Sequence, residues 1–382
     1  MMATRTDVGT VDDLLASATK AVGLDDFGAD DDNYREALEV LLESYQRDAD
    51  FTPLGSKLSR FYLRGALTGR LLSEAAWKKY PQHVDVPIER PIFVTGLPRT
   101  GTTALHRLLA ADPAHQGLQL WLAENPQPRP PRETWADNPV YRQVEARYTQ
   151  QNSEYPEHTG LHYSTADEVE ECWRLLQQSV HSVSYEALAH VPRYAQWLAK
   201  QDWTPSYRRH RKNLQLIGLN DAGKRWVLKN PSHLFALDAL FATYPDALVV
   251  QCRRPAETIM ASMCSLSEHT TKSWSNSFVG AQIGTDALET WSRGLERFNA
   301  ERANHNSAQF YHVDYFDFIA DPFAAVEGIY RHFGLPFTDA ARQAIEEMHT
   351  ESKTGPRAPK HTYSLSDYGL TVDAVKARFE GL

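Results

Sequence analysis

Cysteine is scarce. The three in this 382-residue chain, Cys172, Cys252 and Cys264, are too few and too scattered for a disulfide framework or a cysteine-built zinc site, and they read as free buried thiols. Among 15 histidines there is no His-Glu-x-x-His and no tight cluster, so no metal is expected. No apolar run approaches the ~20 residues of a membrane helix, which argues against stable membrane insertion. The segment from Met1 to Leu15 is polar and acidic and lacks a secretory apolar region, so the expected location is the cytoplasm. Positive charge is in deficit as well. A net charge of −9 argues against general nucleic-acid binding, yet it leaves room for a small anionic ligand, whose affinity local fields decide. No internal repeat or low-complexity tail is present.

What is present is an apolar content of 42%, sufficient for a full core, on a length that suits one large α/β domain or two smaller ones. Residues 1–88 carry helical periodicity at Val11 to Val22, Tyr34 to Tyr45 and Leu54 to Tyr80. They are read as a helical extension packed on the core, a source of a lid or a homodimer contact. The acidic break Asp25 to Asp32 is read as a solvated loop with a helix cap near Asp32 or Asn33. Residues 89–382 alternate strands with helices. Strands are expected at Ile92 to Val94, Trp226 to Lys229, Ala247 to Cys252 and Phe310 to Val313. Helices are expected at Thr165 to Ser182, near Arg193 to Lys200, and at Tyr207 to Leu219, Leu234 to Tyr244 and Asp321 to Phe333. Tyr311 and Val313 are expected in the core. Such alternation implies an α/β fold with a central parallel sheet flanked by helices, binding ligands at the carboxyl ends of its strands. The proline-rich stretch Asn125 to Pro139 cannot sit inside a helix or sheet and is read as a surface loop, a candidate acceptor rim with Trp121 and Trp135.

The most informative segment is Pro91-Ile-Phe-Val-Thr-Gly-Leu-Pro-Arg-Thr-Gly-Thr-Thr103. A short apolar run, a glycine-bounded turn and a helix start place backbone N–H groups and a helix dipole at one point, an arrangement that binds phosphate-like anions. Gly96-x-x-x-x-Gly101 has Walker A spacing, but Thr102-Thr103 stands where Lys-Ser/Thr would be. The Walker lysine is missing, and Arg99 is the cation available.

Pro98-Arg-Thr-Gly-Thr-Thr103 after a strand resembles the phosphosulfate-binding loop of PAPS-dependent sulfotransferases, in the form found in their bacterial, actinobacterial-type branch. The resemblance extends over most of residues 91–335. It implies transfer of a sulfuryl group from PAPS, with PAP as product, by a metal-independent in-line displacement onto a hydroxyl or amine of a small-molecule, lipid or glycolipid acceptor. Arg99, Thr100, Gly101, Thr102 and Thr103 would hold the 5'-phosphosulfate. The family binds the 3'-phosphate with an Arg in Arg-x-Pro and a Ser eight residues on. Here Arg253 keeps the Arg-x-Pro and Arg254 keeps the spacing to Ser262, so both stay candidates, with Arg254 favoured.

Lys229 resembles the family lysine at the sulfuryl group. His233, four residues on, is a candidate base near it, with Ser232 capping the next helix. The acidic run Asp167-Glu168-Val-Glu170-Glu171 stands where related enzymes carry the presumed acceptor base. Read as the first turn of a helix, it puts Glu170 and then Glu168 beside the apolar face and turns Asp167 and Glu171 away, so Glu170, Glu168 and His233 are the candidate bases. The basic tail from Lys353 to His361, which lacks helical or strand periodicity, stands where the family folds over the cofactor phosphate, with Lys353 and Arg357 as candidate ligands. A P-loop kinase or NTPase, or a non-catalytic nucleotide-binding module, is the alternative reading.

Overall fold

The computed structural model describes residues 7–154, 164–354 and 363–382, except the side chains of 353 and 354. Five parallel strands form one sheet: β1 (Ile92–Gly96), β2 (His115–Gly117), β3 (Arg225–Lys229), β4 (Leu248–Arg253) and β5 (Phe310–Asp314), in the order β2-β3-β1-β4-β5. β1 is central and buried along its whole length. Its register sets Val94 opposite Lys229 on β3 and Gly96 opposite Cys252 on β4, which brings three strand ends to one place. β2 went unpredicted because three residues, His-Gln-Gly, carry no apolar alternation. Its pairing with β3 alone makes it a strand.

The two faces of the sheet follow from the period of two along β1. Ile92 and Val94 pack with Leu105, Leu109, Val250, Ile329 and Phe333, beneath α4 (Thr102–Ala110) and the helix Pro322–Phe333. Phe93 points the other way, where Tyr244 and His233 meet its ring at 5.2 and 5.0 Å. Replacing so buried a phenylalanine by alanine costs about 3–5 kcal/mol. Val313 is buried, whereas Tyr311 is half-buried.

The N-terminal helices are α1 (Val11–Val22), α2 (Tyr34–Arg47) and α3 (Pro53–Lys79). Leu14, Leu38 and Leu67 share one apolar cluster with Phe93 and Leu228. Arg70 of α3 is fully buried and donates to Phe27 O, Ala29 O, Gln178 O and, at 2.6 Å, Asp32 Oδ2. The acidic break is therefore not wholly solvated: Asp32 enters the core because a buried guanidinium receives it. Asn33 stands at the N-cap of α2 without a side-chain capping bond.

A continuous helix over 165–182 does not form. Only Trp173–Leu176 is α-helical, followed by a 3-10 turn at Gln177–Ser179. Ahead of it Val169 bridges Gln119 antiparallel, so local charge and periodicity yield to pairing with a distant segment. Trp121 and Trp135 also differ from expectation. Both are buried, 5.4 Å apart, and pack with Tyr141 rather than forming a rim.

Candidate active site

The loop after β1 turns through conformations that its residues were chosen to tolerate. Gly96 has φ +143°, and a Cβ there would stand 2.4 Å from Cys252 O, so only glycine lets the loop leave beside β4. Arg99 has φ +69°. Gly101 is the N-cap of α4, and no side chain caps the helix. The first-turn N–H groups of α4 are therefore available to an anion, with the helix dipole behind them. Thr100 turns its hydroxyl inward, donating to Leu97 O at 2.6 Å and bracing the loop.

Arg254, Ser262 and Arg99 converge on this loop. Arg254 Nη1 donates to Arg99 O at 3.2 Å, and Arg99 Nε donates to Ser262 Oγ at 3.1 Å. The Arg254 guanidinium lies 4.0 Å from the Tyr315 ring centroid, and its Nε is buried without a partner. A donor withdrawn from water and unpaired costs about 1–3 kcal/mol, which a bound anion can recover. Arg253 faces elsewhere. It is exposed, donates through Nε to Gln251 Oε1 at 3.2 Å and meets His312 Nε2 at 3.4 Å. Arg253 is the last residue of β4, paired with Asp314 of β5, whereas Arg254 has left the strand and turns to the loop.

Lys229 ends β3, is 2% exposed, and donates to Thr103 Oγ1 at 3.1 Å. Its Nζ also carries the Glu171 carboxylate. The backbone accounts for this pair. Leu120 N–H donates to Glu168 O, Glu170 N–H to Leu118 O and Cys172 N–H to Lys229 O, which seats the acidic run along the end of β3. Glu171, expected to turn away, is thereby delivered to Lys229. Glu170 is buried. Its Oε1 accepts from Glu171 N–H at 2.7 Å, and its Oε2 stands 3.9 Å from Arg174 Nε. Glu168 pairs with Arg107 at 3.2 Å, and burial pushes its carboxyl up to about 7. Asp167 pairs with Arg132.

A cavity of about 340 Å³ opens beside these strand ends. Its walls include Phe61, Tyr62, Trp173 and Trp291, and Pro98, Glu171 and Asn230 lie where it adjoins the loop. Asn230 caps the turn Pro231–Phe235 by accepting from Ser232 N–H, so Asn230 takes the capping place expected of Ser232. Neither Glu170 nor His233 belongs to the cavity wall. His233 lies behind it, 1% exposed, with Nδ1 and the Tyr207 hydroxyl 2.6 Å apart. Burial, with His210 and Lys229 nearby, holds His233 well below the usual histidine range. Lys353 falls in the last turn of the helix Asp339–Thr354, contrary to the non-helical expectation. Its side chain lies outside the described residues, as does Arg357. Among the described residues, no group of three or more His, Cys, Asp or Glu is arranged to hold a metal ion, and no helix is long and apolar enough to cross a membrane.

The model of the sulfotransferase family matches residues 91–339. The crystal structure of sulfotransferase STF1 from Mycobacterium tuberculosis H37Rv is 71% identical, with a TM-score of 0.94 over 99% of this chain and 100% of that one. That of sulfotransferase STF9 from Mycobacterium avium is 26% identical, with a TM-score of 0.87 over 99% of this chain and 96% of that one. The omega-hydroxy-beta-dihydromenaquinone-9 sulfotransferase Stf3 of Mycobacterium bovis is 24% identical over 293 residues, 74% of this chain and 70% of its own length.

Proposed function

The chain belongs to the sulfotransferase family, and from that premise we propose that it moves a sulfuryl group from PAPS to a hydroxyl or amine of a small or lipid-like acceptor held in the cavity beside Glu171. The observation that carries this reading is the Glu171 carboxylate on Lys229 Nζ, at the border between an anion-binding loop and that cavity. The residues fit the donor. The uncapped N-terminus of α4 and Arg99 suit the 5'-phosphosulfate, and the unpartnered Nε of Arg254, with Ser262 joined to it through Arg99, suits the 3'-phosphate.

PAPS supplies a sulfuryl group on a phosphate leaving group. Lys229 exchanges the Glu171 carboxylate for a sulfuryl oxygen. The released carboxylate accepts the acceptor's proton as the acceptor oxygen or nitrogen bonds to sulfur. The bond from sulfur to the phosphate oxygen breaks, and the N-terminus of α4 with Arg99 and Lys229 stabilises the charge left on PAP. Glu171 takes the base role for which the sequence offered Glu170, Glu168 and His233, because it alone of these four lines the cavity. Arg254 is the 3'-phosphate ligand and Arg253 is not. Lys353 and Arg357 are kept as proposed ligands of the cofactor phosphate.

A lipid-like acceptor is supported by the aromatic walls of the cavity and by the hydroxylated menaquinone named for the Mycobacterium bovis relative. The test is incubation with labelled PAPS and a panel of acceptor classes: hydroxylated prenyl quinones, glycolipids, phenols and amines. Transfer to a lipid or small acceptor, unaffected by EDTA, is the expected result. EDTA-sensitive ATP turnover would favour a P-loop kinase or NTPase, and PAP binding without transfer to any acceptor a non-catalytic module.

A further inference from the structure

α3 borders the acceptor cavity through Phe61 and Tyr62, and its outer face has an unusual composition. Between 51 and 73 the chain carries Lys57, Arg60, Arg64 and Arg70 and no Asp or Glu, in a protein of net charge −9. Arg70 is buried, and Arg60 turns inward to donate to Val8 O and Asp13 O. Leu54, Lys57, Phe61 and Arg64 recur at helical spacing and share one face. Leu54 is 44% and Phe61 48% exposed, the Arg64 guanidinium stands 5.6 Å from the Phe61 ring, and Phe61 also lines the cavity.

A second segment meets the N-cap of α3, one turn from Lys57. Thr52 N–H donates to Trp274 O at 2.8 Å, and Thr52 Oγ1 donates to Ser273 O at 2.7 Å. From 269 to 285 there is again no Asp or Glu, and Lys272 is the sole Lys or Arg. Lys57, Arg64 and Lys272 make no ion pair among the described residues. Large exposed apolar side chains flanked by unpaired cations are the chemistry of a surface that rests on anionic lipid headgroups.

We propose that this face, centred on Leu54, Lys57, Phe61 and Arg64, docks the enzyme reversibly on an anionic lipid surface, with the mouth of the acceptor cavity against the bilayer. The proposal rests on the lipid-acceptor reading given above. The acidic remainder of the chain is repelled by the same surface, so this face is the one presented. Two copies of the chain joined through it would set Lys57 and Arg64 against like charges across the twofold axis, which disfavours a dimer here.

The full chain is sedimented with phosphatidylglycerol–phosphatidylcholine vesicles and with pure phosphatidylcholine vesicles, without donor or acceptor. Binding to the anionic vesicles, weakened at roughly 0.5 M salt, is the expected result. Lys57→Glu should lower partitioning at least about fivefold and Leu54→Asp by a similar factor, while the melting temperature and transfer to a water-soluble acceptor stay unchanged in Lys57→Glu. Equal partitioning onto both vesicle types, no binding by the wild-type chain, or a dimer that Lys57→Glu dissociates would overturn the proposal. Vesicle binding needs no turnover, so its failure is separate from failure to sulfate a lipid, which would overturn the functional reading alone.

Discussion

Glu171 and Lys229, 58 residues apart in sequence, form an ion pair between the anion-binding loop and the acceptor cavity. The pair implies an order of events, because Lys229 can serve a sulfuryl oxygen only as it gives up the carboxylate. Glu171→Gln should lower turnover about 10²-fold or more, the usual scale for a general base. Its affinity for PAP, measured by calorimetry, should hold or rise. Normal turnover in Glu171→Gln together with a collapse in Glu170→Gln would return the base to Glu170.

The two adjacent arginines should separate sharply. Arg254→Ala should cost at least about 2 kcal/mol in PAP affinity, the scale of lost charge-assisted hydrogen bonds. Arg253→Ala should leave it within about twofold. Adenosine 5'-phosphosulfate, which lacks the 3'-phosphate, should bind wild type and Arg254→Ala alike. Discrimination between the two nucleotides that survives in Arg254→Ala and vanishes in Arg253→Ala would reverse the assignment.

His233 faces Phe93 and Tyr207 in the core. Because burial keeps it neutral far below the ordinary histidine range, it should contribute no limb to the pH–rate profile near neutrality. His233→Asn should lower stability by about 1–3 kcal/mol through the lost Tyr207 bond and packing, while turnover of the folded variant stays within about tenfold. A fall of 10³-fold with unchanged stability would place His233 in the chemistry.

Gly96→Ala tests the loop. The added methyl would press on Cys252 O at 2.4 Å, a backbone atom that cannot swing aside. With φ at +143° as well, destabilisation of about 2–4 kcal/mol and loss of PAP binding should follow. Gly65→Ala in the middle of α3 is the control. Apart from its chain neighbours and the local helix backbone, no atom lies within 4 Å of its new methyl, and thermal melts should show a gain of about 0.5–1 kcal/mol.

Glu168 gives a pH dependence of known sign. Its folded carboxyl is raised to about 7, above its value in the unfolded chain, chiefly by burial, with Arg107 opposing. The carboxyl's contribution to stability is therefore fully present below about pH 4.5 and is lost as pH rises through 7. Glu168→Gln should match wild type in denaturant titrations at pH 4.5 and exceed it at pH 8, by on the order of 1–3 kcal/mol. Equal stability at both values would remove Glu168 as the source.

By itself the sequence determined what rests on local physics. Apolar runs bounded by turns marked four of the five strands, the glycine spacing after Ile92-Phe-Val94 marked the anion loop, and helical periodicity marked α1 to α3 closely. These features depend on neighbours within a few residues, so composition and spacing report them. The tertiary structure decided what depends on partners far along the chain. β2 exists through its pairing with β3. The acidic run is a turn followed by a single bridge, not a helix, because Val169 bridges Gln119 and Cys172 N–H binds Lys229 O. The bond from Cys172 N–H to Lys229 O sets the adjacent Glu171, rather than Glu170, against the Lys229 ammonium. Arg254 and Arg253 share their residue type and neighbourhood in sequence, and only the point at which β4 ends turns one to the loop and the other to His312.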